Sequence, residues 1–266
     1  PGVVSGETVA ALAIDEGRKH RPERIEMRAE RSGNGFRLSG KKSFVVQGGS
    51  ADVLLVAART GGSAGETEGL TLFAVEKDAA GLDVAAERLV DSSTAARLTF
   101  EGVAVDADAV VGEVDQGWSV LTRLLNAGRA GASAEMVGVA AGAMDMTVDY
   151  LRQRTQFGVP IGSFQALQHR AAHLYSELEI ARAAALKAQQ LLDEGDPRAE
   201  LMVSVAKAKA GRTATLAVQE GVQMHGGIGM TDEHDIGLYM KRDRALNELF
   251  GDANYHADRV ARLSGY

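Results

Sequence analysis

The chain has 266 residues, of which 45% are hydrophobic, so it can bury one large or two modest hydrophobic cores. Its 29 basic and 36 acidic residues give a net charge of −7, which argues against a general nucleic-acid binder or a protein that binds anionic membranes. The lack of cysteine excludes disulfides, thiolate catalysis and zinc–thiolate sites, and no apolar run approaches the roughly 20 residues that span a bilayer. We therefore expect a cytoplasmic protein that binds small molecules and other proteins.

The first part of the chain reads as a series of short β-strands. Apolar segments with alternating character lie between turns rich in glycine, serine and asparagine. The predicted strands cover residues 9–14, 26–30, 36–44, 53–58, 70–75 and 95–103. Short strands at near-regular spacing, with no helical pattern between them, predict an antiparallel β-sandwich or barrel. We assign this β-domain to residues 1–112.

After a linker at 106–117 the hydrophobic period becomes helical and remains so to the end of the chain. Clusters of glycine and proline at 158–162, 195–197 and 226–229 divide this pattern into about four helices. The sequence therefore predicts a helical bundle over residues 113–266. The predicted fold class is α+β, an antiparallel sandwich or barrel domain followed by a four-helix bundle.

The segment 151–169 joins two of the predicted helices and carries a dense run of polar side chains. Its turn brings Arg152, Arg154, Gln156 and Gln165 close together. Arginine and amide side chains at a helix end suit a phosphate or pyrophosphate. Arginines at the C-terminus of a helix also stabilise the helix dipole without any ligand, and composition alone favours this second interpretation.

A second motif, Gln223-Met-His-Gly-Gly227, follows the helical pattern that begins at Ala199. Two glycines at a helix end are typical of a C-cap with positive φ, and that role accounts for them structurally. Backbone without side chains can also approach a cofactor closely. Both interpretations can hold at once.

In order along the chain, several phrases resemble those of the acyl-CoA dehydrogenase family. They are Leu38-Ser-Gly-Lys-Lys-Ser-Phe44, Phe100-Glu-Gly-Val103, Val111-Gly112 with Gly117-Trp118, the segment 151–169 and Gln223-Met-His-Gly-Gly-Ile-Gly229. Each phrase is weak alone, and together they are specific. The family normally has a helical N-terminal domain before its β-domain and bundle. Because the chain begins with Pro1 and lacks such a domain, we interpret it as a fragment.

The resemblance implies an FAD-dependent enzyme that removes the α-proton of an acyl-CoA and passes the β-hydrogen to the flavin, giving a trans-2-enoyl-CoA. It also implies association with a homologous subunit, as a dimer or tetramer, in which one chain helps to bind the FAD of its neighbour. Seven residues of this chain match the positions expected to do so. They are Arg154, Phe157, Gln165, Gln223, His225, Gly226 and Gly227.

The base that the family's reaction requires has no match in this chain. Much of the family places a glutamate soon after an Arg-Asp-Ala pattern, and the matching residue here is Gly251. Other members place it on the first bundle helix, where this chain has Gly128 followed by Arg129. Neither glycine can accept a proton, so the catalytic residue stays unknown. Three nearby acids are interpreted as solvated or capping carboxylates rather than replacements, namely Glu135, Glu248 and Asp252.

The β-domain also departs from the family pattern. In place of the family's Thr-Glu-Pro phrase the chain has Asp15-Glu-Gly-Arg-Lys-His-Arg-Pro22, which we interpret as a solvated loop. In place of its Trp-Ile-Thr, the chain has Phe44-Val-Val46, and valine cannot donate the hydrogen bond that threonine could. In the family, a subunit's own β-domain forms part of the site for its FAD, and this chain therefore lacks the residues expected for that part.

These features suggest the base-less subunit of a heteromeric acyl-CoA dehydrogenase. The Phe250-Gly-Asp252 phrase is similar to one in heteromeric members that act on CoA esters of steroid side chains, an analogy that leaves fatty or steroid acyl groups open. Two alternatives remain: a self-sufficient homotetramer with a relocated base, and a non-catalytic assembly or regulatory protein. No metal site is predicted, because His169 and His173 lack a carboxylate on a matching helix face.

Overall fold

The computed structural model describes residues 2–266, and the chain forms two compact units, one ending at Leu124 and one running from Leu125 to Tyr266. Pro1, at which the predicted β-domain begins, lies outside the described residues. The predicted order, a β-domain followed by a helical domain, is confirmed. The predicted boundary between residues 112 and 113 stays a prediction.

The first unit is built on one sheet of eight strands after a short helix, α1 (Gly2–Ser5). The strands are β1 (Ala10–Ala13), β2 (Arg28–Ser32), β3 (Gly35–Val46), β4 (Val53–Arg59), β5 (Leu70–Glu76), β6 (Leu82–Arg88), β7 (Thr94–Val105) and β8 (Val110–Val111). Their order is β6-β7-β3-β2-β4-β5-β8, with β1 beside β4. Most pairs are antiparallel as predicted, but β1 and β2 both pair with β4 in parallel.

The longest pairing joins β3 to β7, from Phe36 opposite Val105 to Val46 opposite Ala95. All six predicted strands are present, and β6 and β8 were missed. Strand β6 pairs with β7 at the end of the sheet order, and most of its side chains are exposed or half-buried. An edge strand of this kind carries little hydrophobic signal, because hydrogen bonds to its neighbour fix it rather than burial.

The second unit contains most of helix α2, which begins at Gly117, together with four further α-helices and a small hairpin. The helices are α2 (Gly117–Gln153), α3 (Gln165–Asp193), α4 (Ala199–His225), α5 (Ile236–Glu248) and α6 (Ala253–Leu263). The predicted breaks are confirmed, but the last predicted helix is interrupted between α5 and α6. The cause is local, since Phe250 and Gly251 both have positive φ, which ends a right-handed helix.

Small side chains dominate the core of the bundle. Helix α4 contributes Ala210, Ala214 and Ala217, which pack against Met136 of α2 and Leu178 of α3. Alanine at these positions lets helices approach closely and costs no side-chain entropy on burial. Among the helices in residues 2–266, none combines the length and apolar character needed to cross a membrane.

Candidate functional site

The connection between α2 and α3 forms a tight hairpin. Strands β9 (Thr155–Gln156) and β10 (Val159–Pro160) pair in antiparallel fashion, with Val159 opposite Gln156. The two residues at the tip, Phe157 and Gly158, have φ values of 54° and 80°. Positive φ at both central residues is typical of a type I′ turn, which matches the twist of paired strands. The sequence breaks at Gly158 and Pro160 therefore produce a defined hairpin rather than an irregular loop.

Phe157 at the hairpin tip is 91% exposed. Its ring lies edge-on to Phe164, with centroids 6.1 Å apart. A bulky residue in the left-handed region costs about 1 kcal/mol or more, and an exposed aromatic side chain recovers little of that cost within its own chain. An apolar ring held outward at the tip of a rigid hairpin is suited to contact another molecule.

Arg154 is fixed at the base of this hairpin by its backbone. Its N–H donates to the carbonyl of Tyr150 at 2.8 Å, and its carbonyl accepts from the N–H of Ile161 at 2.8 Å. The side chain itself is exposed, as is that of Gln165 in the first turn of α3. The hairpin thus presents one guanidinium and one amide from a rigid backbone, where they can donate hydrogen bonds to an anion.

The motif at residues 223–227 lies at the end of α4. Gln223, Gly226 and Gly227 are exposed. Gly226 caps the helix with φ of 65°, so the predicted positive-φ cap is confirmed for this glycine. Gly227 has no positive φ, and a Cβ atom there would meet no other atom within 4 Å. A side chain at residue 227 would enter open space, so no contact within the described chain requires glycine there.

His225 differs from the other six predicted cofactor residues because its side chain is buried, with 3% exposure. Its Nδ1 lies 2.7 Å from the carbonyl oxygen of Gly221, and its ring lies 4.2 Å from that of His234 and 4.6 Å from that of Tyr150. Burial lowers the pKa of His225 below its ordinary value, so the ring is neutral near pH 7. The planes of the His225 and His234 rings are inclined at 50° to each other.

Both glycines that match the family's base positions lie against aromatic rings. A Cβ atom at Gly128 of α2 would be 2.7 Å from Cε2 of Phe250. A Cβ atom at Gly251 would be 2.4 Å from Cδ1 of Tyr255. Side-chain atoms do not approach this closely, so neither position accepts even a methyl group without movement of an aromatic ring. The structure therefore shows a steric reason for glycine at both positions.

Two buried cations lie beside the turn between α5 and α6. The guanidinium of Arg129, 1% exposed, donates to the carbonyl of Phe250 at 3.4 Å and to the hydroxyl of Tyr255 at 3.2 Å. The ammonium of Lys207 in α4 donates to the carbonyls of Leu246 and Gly251, each at 3.0 Å. Burial lowers the pKa of Lys207 to about 8 and that of Arg129 to about 10.

Sequence reasoning missed Lys207. The position of Lys207 in the helical repeat could have revealed it, because Lys207 lies on the core-facing side of α4. That side is defined by the buried residues Val203, Ala206, Ala210 and Ala214. A lone lysine on an apolar helix face indicates a buried ammonium that needs hydrogen-bond acceptors.

The three acids considered as replacement bases all have structural partners. Glu135 accepts from Arg242 at 2.6 Å, and Glu248 pairs with Arg244 one turn away at 3.0 Å. Asp252 caps α6 by accepting from the backbone N–H of Asn254 at 3.1 Å and of Tyr255 at 2.8 Å. The capping role predicted for these acids is confirmed for Asp252.

Asp243 is the carboxyl in this unit whose pKa rises most clearly. It is buried, and its oxygens accept from Thr215 at 3.1 Å and from Asn247 at 2.8 Å. Burial raises the pKa of Asp243 to about 6. The hydrogen bond from Thr215 links α4 to α5, so the carboxyl of Asp243 has a structural role.

In the first unit, the segment after β1 is not the freely solvated loop that the sequence suggested. His20 is buried and its Nδ1 lies 2.8 Å from an oxygen of Asp15. The carboxylate of Glu16 accepts from the buried ammonium of Lys42 at 2.7 Å and from the backbone N–H of Glu26 at 2.7 Å. The acidic members of the segment therefore anchor it.

Lys19 and Arg21 of that segment face a shallow cavity of about 240 Å³. The cavity is lined by Glu16, Gly17, Lys19, Arg21, Arg24 and Glu26. No group of three or more histidine or acidic side chains within residues 2–266 is placed to hold a metal ion.

Comparisons with known proteins agree on one family. The model of the acyl-CoA dehydrogenase C-terminal domain matches residues 115–264, and that of the acyl-CoA dehydrogenase middle domain matches residues 15–103. The chain is 31% identical over 242 residues to a mitochondrial short/branched chain specific acyl-CoA dehydrogenase of Rattus norvegicus, covering 90% of this chain and 55% of that protein. It is 33% identical over 233 residues to a cyclohex-1-ene-1-carbonyl-CoA dehydrogenase of Geobacter metallireducens, covering 86% of this chain and 61% of that protein. The chain thus spans little more than half the length of these relatives.

Two solved structures are similar over almost the whole chain. Butyryl-CoA dehydrogenase from Megasphaera elsdenii superposes with a TM-score of 0.93 and 27% identity, covering 99% of this chain and 70% of that one. A chain of the ChsE4-ChsE5 complex from Mycobacterium tuberculosis superposes with a TM-score of 0.87 and 29% identity, covering 100% of this chain and 69% of that one.

Proposed function

The chain belongs to the acyl-CoA dehydrogenase family, and from that premise we propose that it is a subunit of an FAD-dependent enzyme that desaturates an acyl-CoA thioester between its α and β carbons. FAD, when bound, supplies the acceptor for the hydrogen that leaves the β carbon. The substrate class is a CoA ester of a fatty acid or of a steroid side chain.

More specifically, this chain is the base-less partner in a heteromeric enzyme. The observation that carries this proposal is that both base positions are glycines packed against aromatic rings, Gly128 against Phe250 and Gly251 against Tyr255. A general base must reach the α-proton within hydrogen-bond distance, and no side chain begins at either position. The carboxylate must then come from another chain.

The residues that the chain offers to a neighbour fit FAD. The exposed guanidinium of Arg154 and the exposed amides of Gln165 and Gln223 are donors suited to pyrophosphate oxygens and to the polar atoms of a flavin. No contact or backbone conformation within the chain requires glycine at 227, and the lack of a side chain there leaves the backbone open to close approach. Buried His225 would act by supporting this end of α4 rather than by direct contact.

A two-component assembly is supported by the similarity to a chain from a complex of two different proteins, ChsE4 and ChsE5. A self-sufficient enzyme with a relocated base receives less support. Glu135 and Glu248 are engaged in ion pairs, and Asp252 is committed to capping α6. Using any of them as a base would break an interaction that already stabilises the fold.

The test is to purify the full-length protein alone and after co-expression with a homologous dehydrogenase subunit. We expect flavin absorbance and oxidation of an acyl-CoA only in the co-purified complex. Stoichiometric FAD and rapid turnover in the protein alone would instead establish a homomeric enzyme. FAD in neither preparation would establish an assembly or regulatory protein that retains only the family's bundle.

A further inference from the structure

We propose that Arg21 and Arg24, together with Lys19, form a binding site for a phosphate monoester in the segment between β1 and β2. The site lies within the first unit and uses none of the residues that are assigned to FAD binding. It is therefore an additional binding site, and it does not depend on the proposed function.

The first step is the turn that carries the two arginines. The N–H of Arg24 donates to the carbonyl of Arg21 at 2.9 Å, which closes a β-turn over residues 21–24. Pro22 occupies the second position of this turn and is buried. Proline at that position presets the backbone, and the Cα atoms at the two ends of a β-turn lie within about 7 Å of each other. The turn therefore holds the two arginines side by side.

The second step is the way in which the backbone of this turn is fixed. The buried guanidinium of Arg59 donates from Nε to the carbonyl of Ile25 at 2.6 Å and from Nη2 to the carbonyl of Glu23 at 3.2 Å. The carboxylate of Asp15 accepts from the backbone N–H of Arg21 at 3.2 Å. A buried cation that lost these acceptors would be costly, so the turn keeps its shape. A preformed backbone reduces the entropy that ligand binding costs.

The third step is the charge around the cavity that the turn borders. Lys19, Arg21 and Arg24 line it together with two acids, Glu16 and Glu26. The carboxylate of Glu16 is balanced by the buried ammonium of Lys42 at 2.7 Å. The three cations therefore face one remaining acid, which leaves an excess of two positive charges. A phosphate monoester carries about 1.5 to 2 negative charges at pH 7 and matches this excess.

The fourth step is the state of the two guanidinium groups. In the part of the chain that the structure describes, the side chains of Arg21 and Arg24 are exposed and form no ion pair or hydrogen bond. By contrast, the surface arginines Arg170, Arg198 and Arg242 are each paired with a carboxylate. Planar guanidinium groups donate pairs of hydrogen bonds that fit phosphate oxygens. The cavity, at about 240 Å³, is smaller than the roughly 300 Å³ at which pockets for drug-sized ligands begin, so it suits a phosphate group whose ester stays in solvent.

The experiment titrates the full-length protein with methyl phosphate and follows binding by phosphorus NMR at low ionic strength. Methyl phosphate is a monoester with no further group that another pocket would recognise. We expect Arg21→Gln and Arg24→Gln each to weaken its binding roughly tenfold or more, because each variant removes hydrogen bonds to a charged group. Dimethyl phosphate, which carries one negative charge, should bind the wild-type protein more weakly. The proposal is refuted if the wild-type protein does not bind methyl phosphate or if both variants bind it equally well.

The matched control is Arg18→Gln, which removes the same charge from the same segment at a side chain that does not line the cavity. It should leave the affinity for methyl phosphate unchanged, and an equal loss there would mean that only net charge attracts the anion. The double variant Arg21→Lys with Arg24→Lys keeps both charges and removes the planar groups. We expect its affinity to lie between those of the wild type and the glutamine variants, and wild-type affinity would overturn the role of the guanidinium groups.

Two sources of a phosphate monoester share this chemistry, namely the 3′-phosphate of a CoA thioester and a free phosphorylated metabolite. Competition of CoA and of 3′-dephospho-CoA against methyl phosphate distinguishes them. Competition by CoA alone, lost in Arg21→Gln, would identify the phosphate of CoA, and competition by neither would identify a free monoester. FAD content and turnover do not enter these measurements, so a failure of the proposed function is distinguished from a failure of this site.

Discussion

The ring of Phe250 lies against the backbone of Gly128, with Cε2 only 2.7 Å from the point where a Cβ atom at residue 128 would stand. Gly128 lies in α2, and Phe250 lies in the turn between α5 and α6. Glycine at 128 makes room for the ring, and the ring fills the space that a side chain at residue 128 would otherwise use.

The substitution Gly128→Ala tests this contact. Alanine is the better helix former by about 1 kcal/mol, but its methyl group would overlap the Phe250 ring, and overpacking costs typically about 1 to 3 kcal/mol. We expect a net loss of stability in urea denaturation. The matched control is Gly138→Ala on the same helix, where a Cβ atom meets nothing within 4 Å and a gain of up to about 1 kcal/mol is expected. Equal effects at the two positions would contradict the packing described.

Arg154 and Arg152 form a second matched pair. Both are exposed at the end of α2, but Arg152 pairs with Asp149 at 3.7 Å, whereas Arg154 lies at the base of the hairpin. A hydrogen bond to a charged group is worth about 1.5 to 3 kcal/mol, so Arg154→Ala should weaken FAD binding to the complex roughly tenfold to a hundredfold. Arg152→Ala should leave it unchanged. Fluorescence titration of the flavin-free complex with FAD measures both, and indistinguishable affinities would argue against a cofactor role for Arg154.

The two glycines after α4 should respond in opposite ways. Gly226 needs its positive φ, so Gly226→Ala should destabilise the protein by about 1 kcal/mol. Gly227 has neither a positive φ nor a close neighbour, so Gly227→Ala should leave the stability of the chain unchanged and lower the FAD content of the complex. Thermal denaturation and flavin absorbance separate the two effects. A Gly227→Ala complex with full FAD content would show that no cofactor approaches this backbone.

The stability of the protein should depend on pH through Lys207. Its pKa falls from 10.5 to about 8 because burial disfavours the ammonium, with Arg129 acting in the same direction and Asp252, Asp243 and Glu248 opposing it. Between these values the unfolded chain binds more protons than the folded one, so the free energy of unfolding rises with pH. At 1.36 kcal/mol per pKa unit, the gain from pH 8 to 10.5 relative to Lys207→Met is about 3 kcal/mol.

Urea denaturation of both proteins across this pH range measures the difference between them. If the difference in unfolding free energy between the two proteins stayed constant or fell with rising pH, burial would not lower the pKa of Lys207. The neutral amine keeps two N–H donors for the carbonyls of Leu246 and Gly251, so the turn should stay closed above pH 8.

Much of the fold and part of the candidate site could be predicted from the sequence alone. The change from strands to helices was readable because hydrophobic periodicity is local, and six of the eight strands of the sheet were predicted from it. The turn at Gly158 and the cap at Gly226 were visible because glycine marks backbone that other residues adopt with difficulty, whereas the hairpin with Phe157 at its tip was not predicted. The prediction that the chain lacks a base likewise rests on residue identity at Gly128 and Gly251.

Tertiary structure alone decided what fills the space beside Gly128. Arg129 and Phe250 are 121 residues apart, and no local pattern links them. The burial of Lys207 and the edge position of β6 depend in the same way on packing between separate segments. Periodicity reports which face of a segment is apolar, but it does not report which segment lies against that face, because that choice is made by the packing of the whole unit.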